Sequence, residues 1–243
     1  MTKVKSLVDG IGNEILTEKY YDDWALSYEQ TLKKWNYKAP LKAVNVMSLL
    51  KENINSNLDL ACGTGMFAVK LKKNYPNVTI DGCDISSQSL KIANKKKIYR
   101  KLFKQSFEKK INITKKYDSV SMIGSMTYCK KPKKLFSLIF DYLKKNGIFI
   151  FTHRIDLWEK QNFDLIVNNF NKSFHLVYKS RPLNYLPQNS SFSEVGLWTG
   201  HALRVVDCEA DTAWPGDLQA EPLCQFFIRV TGIGCIIPTT YFA

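Results

Sequence analysis

No apolar run in this chain approaches the ~20 residues that cross a bilayer, so a membrane-spanning helix is not expected. The opening Met1-Thr2-Lys3-Val4-Lys5 lacks an apolar stretch of secretory type, and a cytoplasmic location is the default expectation. The six cysteines (Cys62, Cys83, Cys129, Cys208, Cys224 and Cys235) form no C-x-x-C pair. That speaks against a zinc site and for buried thiols in a reducing compartment. Histidine is scarce, and the sequence shows no metal cluster, nucleophile triad or phosphate loop. Lysine and asparagine disappear altogether after residue 195.

What the chain does have is Leu58-Asp59-Leu60-Ala61-Cys62-Gly63-Thr64-Gly65, followed 19 residues after Gly65 by Asp84. Apolar residues flank an acid at the end of a short strand, and small residues at 61, 63 and 65 then let backbone approach a ligand. The helix that follows points its N-terminus at the turn. Asp84 closes a second strand at the distance where an acid meets ribose hydroxyls in a doubly wound domain. A dinucleotide site asks for G-x-G-x-x-G, which is absent here, so pyrophosphate is not the expected cargo.

Strand and helix signals alternate around this unit. Helices are expected over 17–32 and 40–50, and strands over 58–61, 78–83, 102–104, 118–123, 147–152 and 174–178. Further helices are expected over 87–96, capped by Ser86, and over 133–145 and 158–170. The pattern predicts an α/β, Rossmann-like, mostly parallel sheet with helices on both faces and ligands at the carboxyl ends of the strands.

The formal net charge is +13, and every lysine lies before residue 196. A solvated lysine face is the preferred reading, with weak, salt-sensitive and sequence-insensitive nucleic-acid binding at most. From Gly196 onward the composition changes, with Arg204 and Arg229 set against Asp207, Glu209, Asp211, Asp217 and Glu221. Two regions are therefore expected: residues 1–195 as the ligand-binding domain, and 196–243 as an atypical tail of heterologous character. Trp198 to Glu221 reads as an irregular loop and Gln225 to Val230 as a strand filling a vacant sheet edge, with ligand binding independent of everything after residue 195.

The acid, the Gly63-Thr64-Gly65 turn and Asp84 together resemble the class I S-adenosylmethionine (SAM) dependent methyltransferases. Ala61 stands where the family usually has its first glycine. The wording Tyr21-Asp22-Asp23-Trp24-Ala25, Asp84-Ile85-Ser86, Tyr99-Arg100 and Phe151-Thr152-x-Arg154 further resembles the methyltransferase-like group from the Williams-Beuren chromosomal region, over roughly residues 17 to 187. The resemblance implies SAM as cofactor, no metal, and methyl transfer to a small-molecule substrate.

It also implies roles. Asp59 would neighbour the methionine end of SAM; Ala61, Gly63 and Gly65 would let it pass; Asp84 would bind the ribose; Ile85 would pack on the adenine. Gln105 or Ser106 would accept from the adenine amino group, Gly124 would border the cofactor, and Tyr21 and Tyr28 would lie over it. His153 and Arg154, just beyond the fifth strand, are the candidates for a base and an acid-clamping group. Two alternatives stay open: a nucleic-acid methyltransferase, supported by charge, and a SAM-binding protein with lost or altered turnover. Against the first, Gly124-Ser125-Met126-Thr127-Tyr128 lacks the prolines that base-amino methyltransferases carry after the fourth strand.

Overall fold

A computed structural model describes residues 11–184, 186–188 and 197–205. Two helices, α1 (Glu14–Lys34) and α2 (Ala39–Leu50), precede the sheet. Then come β1 (Ser56–Leu60), α3 (Met66–Asn74), β2 (Thr79–Asp84), α4 (Ser87–Lys95), β3 (Tyr99–Lys104), β4 (Tyr117–Met122), α5 (Pro132–Tyr142) and β5 (Leu143–Arg154). Two short helices, α6 (Ile155–Lys160) and α7 (Phe163–Asn168), lead to β6 (Phe174–Lys179), β7 (Leu183–Asn184) and β8 (Leu197–Val205).

The strands lie in the order β3-β2-β1-β4-β5-β8-β6, with β7 also on β8. β1 to β5 are parallel, while β8 runs antiparallel to both β5 and β6. The period of two in β5 serves both faces of the sheet. Phe149 and Phe151 enter the core beneath α5 to α7, and Ile148 and Ile150 the one shared with α2 and α3. Covered on both sides, β4 is buried throughout.

Local chemistry sets the helix ends. The Ser86 hydroxyl caps α4 by accepting from Ser89 N (3.0 Å), and Pro132 opens α5, where a missing amide costs nothing. The helix expected over 158–170 is broken. Asn162 turns left-handed (φ 50°), a conformation its short polar side chain tolerates, and divides the segment into α6 and α7.

The larger correction concerns residues after 195. Leu197–Val205 is a strand in the interior of the sheet, not the start of a loop, so ligand binding independent of this segment is no longer expected. Its core-facing residues are Thr199, His201, Leu203 and Val205, in register with Arg204 against Ile148 and His201 against Phe151. Two of those four are polar, which hid the alternation. His201 is buried flat against Trp158, ring centroids 4.0 Å apart and 6° from parallel, and stacks on Phe151. The loop expected for 206–221 and the strand expected for Gln225 to Val230 lie outside the described residues.

Candidate functional site

The β1–α3 turn is built from backbone that few residues adopt. Ala61, Gly63 and Gly65 all have positive φ (52°, 53° and 88°), which costs alanine about 1–2 kcal/mol and glycine almost nothing. A Cβ at Gly63 would meet nothing within 4 Å, so the turn faces open space there. Gly65 is different: its Cβ would lie 3.0 Å from the Tyr99 ring. Gly82 makes room for the same ring from below, since its Cβ would come within 2.8 Å of it.

Tyr99 props the turn and donates its hydroxyl to Asp59 Oδ2 (2.8 Å), while Ser121 donates to Oδ1 (2.8 Å). Burial pushes the Asp59 carboxyl up to about 7 against those two bonds. At the end of β2, Asp84 accepts from Gly63 N (2.8 Å) through one oxygen and from Ser86 N (2.7 Å) through the other. Burial raises it to about 6 in spite of those amides. A carboxylate offers about four acceptor positions, so lone pairs remain for a ligand.

Helix α1 lies across the carboxyl ends of the strands and is pinned there. Asp22 Oδ1 accepts from Ser86 Oγ (2.7 Å) and Gln88 N (3.0 Å) at the start of α4. Burial works to raise the Asp22 carboxyl, but the hydrogen bonds from Gln88, Ser86 and Ser87 prevail and hold it below its ordinary value. Lys96 pairs with Glu29 of the same helix. The hydroxyls of Tyr21 and Tyr128 meet at 2.9 Å, joining α1 to the short 3-10 turn Met126–Tyr128 after β4.

Between α1 and the strand ends is a cleft of about 850 Å³, its open mouth included. Tyr21, Tyr28, Ala61, Gly63, Asp84, Ile85, Ser106 and Gly124 line it, eight of the residues singled out from sequence. Asp59, Gly65 and Gln105 are not part of that lining. Asp59 is buried under the turn, and Gly65 packs against Tyr99. Gln105 donates its side-chain amide to Lys109 O (3.2 Å).

His153 and Arg154, the candidates for a base and an acid-clamping group, do not line the cleft either. His153 is fully buried against Phe163 (centroids 4.6 Å apart), and burial pushes it down to about 4, so it stays neutral away from the cleft. Arg154 spends its guanidinium on a bidentate pair with Asp156 (3.0 and 2.7 Å). Sequence reasoning missed Thr17, Phe107, Ser125 and Tyr128, which also line the cleft. Their signal was positional only: they follow strand ends or face inward from α1. Among the described residues no His, Cys, Asp and Glu cluster is placed to hold a metal, and no helix is long and apolar enough to cross a membrane.

A parallel sheet with this turn, this acid and a ligand-sized cleft at its switch point defines a nucleoside-binding α/β domain. Residues 58–149 match the family of methyltransferase domains. Among curated relatives, a malonyl-[acyl-carrier protein] O-methyltransferase of Ilyobacter polytropus is 27% identical over 137 residues, 55% of this chain and 49% of the relative. One of Halalkalibacterium halodurans is 28% identical over 108 residues, 42% and 40% of the two chains. The chain thus spans less than half the length of these two curated relatives.

Solved structures with the same fold include the plantazolicin methyltransferase BpumL in complex with SAH (TM-score 0.55, 15% identity, covering 78% of this chain and 88% of that one). Another is the N-methyltransferase NodS of Bradyrhizobium japonicum with S-adenosyl-L-homocysteine (SAH) (TM-score 0.54, 11% identity, 68% and 86%). The fold is that of the class I methyltransferases.

Proposed function

We propose that this protein is a SAM-dependent methyltransferase whose acceptor is a small molecule. The observation that carries the reading is the convergence of Asp84, the open Gly63 turn and the tyrosines of α1 on one cleft. In it Asp84 would accept from the ribose hydroxyls, Gly63 and Ala61 would let the amino-acid portion pass, and Ile85 and Phe107 would flank the adenine. Ser106 stands where the adenine amino group needs an acceptor. Bound there, SAM supplies an electrophilic methyl on a sulfonium. The chain's own contribution is to hold acceptor and methyl in line and to keep water out, and positioning of this kind supplies most of such a rate enhancement. Kinship with the Williams-Beuren-region group belongs to the same proposal and rests on the α1 wording and Tyr99-Arg100.

The curated relatives methylate oxygen and NodS methylates nitrogen, so the acceptor atom has to be argued from the cleft itself. Incubation of the full chain with methyl-labelled SAM and a cell extract tests the function. Label in the small-molecule fraction is expected, and label in nucleic acid would replace this reading with the runner-up.

A further inference from the structure

Three carboxylates line the cleft, those of Glu14, Asp84 and Glu108. Asp84 holds the β1–α3 turn with both oxygens, and Glu14 stands exposed in the first turn of α1. Glu108 is half-buried and fixed from two sides. Its backbone lies in the turn after β3, where its amide donates to Ser106 Oγ (3.3 Å) and Lys109 N donates to Ser106 O (3.1 Å). Its Oε1 accepts from Lys130 N and Lys131 N, both at 2.7 Å, and from Cys129 Sγ (3.4 Å). These donors stand at the entrance to α5, where a helix favours an anion and where the N-cap Lys131 offers no side-chain acceptor. All three fall on one oxygen. Among the described residues Oε2 has no hydrogen-bond partner. A cap needs a single acceptor atom, so the second oxygen of this carboxylate has no structural task.

Ser125 is an independent mark on the same wall. It is buried and lines the cleft, and its Oγ has no hydrogen-bond partner among the described residues. A ligand group that bonds to it completes an otherwise unsatisfied hydroxyl. Ser125 is joined to Lys130 by the 3-10 turn Met126–Tyr128, in which Tyr128 N donates to Ser125 O (3.0 Å). One short segment thus carries the unpartnered hydroxyl at one end and the amides that hold Glu108 at the other. The phenols of Tyr21 and Tyr128 are raised by burial, which keeps them protonated and unfit to take up a proton. Glu108 is the group on this wall equipped to do so.

We propose that Glu108 is the general base of the methyl transfer, its Oε2 taking the proton from an acceptor whose attacked atom carries hydrogen, an alcohol, phenol or amine held by the Ser125 hydroxyl. This rests on the methyltransferase reading above. The acceptor's lone pair attacks the methyl carbon; the new bond to carbon forms as the S–C bond breaks, and that electron pair stays on sulfur. The proton of the attacked atom passes to Oε2, and its bonding pair stays on the acceptor. The products are the methylated acceptor, neutral SAH and protonated Glu108, which returns its proton to water at the open mouth of the cleft. An acceptor that is itself a carboxylate has no proton to give, and the Glu108 charge would repel it.

The test uses the full chain, methyl-labelled SAM at saturation and a protein-free metabolite extract. Glu108→Gln keeps an oxygen for the Lys130 and Lys131 amides but takes up no proton. It is expected to fold, to bind SAH within about twofold of wild type, and to form labelled product roughly 100- to 10,000-fold more slowly, the range for general base catalysis. Between pH 7 and pH 9 its rate is expected to climb toward tenfold per unit as hydroxide replaces the base, while the wild-type rate stays nearly flat; loss of a cap alone would give no such slope. Ser125→Ala is expected to slow label formation about 3- to 10-fold with an unchanged or raised melting temperature, since no internal partner is lost. The wild-type product needs no variant: its label is expected to survive mild alkali, which releases ester methyl groups as methanol. Alkali-labile label, a Glu108→Gln rate equal to wild type, or no label from a protein that binds SAH would overturn the assignment. So would a Glu108→Gln variant that loses SAH affinity more than tenfold at an unchanged saturated rate, because that places Oε2 on the cofactor. Failure of the wild-type chain to bind SAH would instead overturn the function on which the assignment rests.

Discussion

Replacing Asp84 by asparagine tests the cofactor end of the cleft with almost no change in volume. In the native site each carboxylate oxygen accepts one backbone amide, from Gly63 and from Ser86, and spare lone pairs face the cleft. Asparagine has one acceptor oxygen, and its NH2 would confront an amide N–H, donor against donor. Hydrogen bonds to a charged acceptor contribute about 1.5–3 kcal/mol each, so losing one ribose contact weakens SAH roughly 10- to 100-fold. The carboxyl also sets a pH signature. Its ligand-free value is raised to about 6 by burial, and ribose hydroxyls favour the ionised form. Wild-type affinity is therefore expected to be flat above about pH 7 and to fall by up to tenfold per unit below pH 6, whereas Asp84→Asn stays flat. Titration calorimetry from pH 8 to pH 5 measures both. Unchanged affinity in Asp84→Asn, or a wild-type profile flat down to pH 5, would refute the assignment.

Acid sensitivity is expected to come from buried imidazole. Burial lowers His201 to about 3 and His153 to about 4, so the stability each contributes is whole above pH 6.5 and is lost as pH falls toward those values, at about 1.4 kcal/mol per unit. Asp59 and Asp84, raised to about 7 and 6, act the other way between pH 7 and 4. His201→Phe isolates the imidazole and should shrink the drop in melting temperature between pH 7 and pH 4.5; an unaltered drop would contradict this. Gly65→Ala forces φ +88° on alanine and crowds Tyr99, a cost of roughly 1–3 kcal/mol readable by urea denaturation. A chain ending at Val195 loses β8, stranding β6 and uncovering β5, and is expected to be insoluble or unfolded. A chain ending at Cys208 keeps the whole first compact unit and is expected to bind SAH; circular dichroism and calorimetry of both decide.

Local chemistry made much of this legible in advance. Alternation, the Ser86 cap and the glycine turn speak through neighbouring residues, and they placed β1 to β6 and the Asp84 corner of the cleft. What escaped was set by distant partners. His153 follows a strand end, where substrate groups gather, yet Trp158 and Phe163 close over it. His201 and Thr199 disguise a core strand because hydropathy counts them as polar, although stacking on Phe151 and Trp158 makes His201 part of the core. Asp59 reads as a ligand contact, and the bond it accepts from Tyr99, 40 residues later, had no local signal. Ser125 had no periodicity to betray it, and only the lack of a partner for its hydroxyl among the described residues marks it.

The central claim is that the cleft between α1 and the ends of β1, β2 and β4 takes SAM. Titration of the full chain with SAH at pH 7.5 tests it most directly. Saturable one-to-one binding that Asp84→Asn weakens is expected. A folded, soluble protein giving no binding heat and no change in melting temperature with SAH would contradict it.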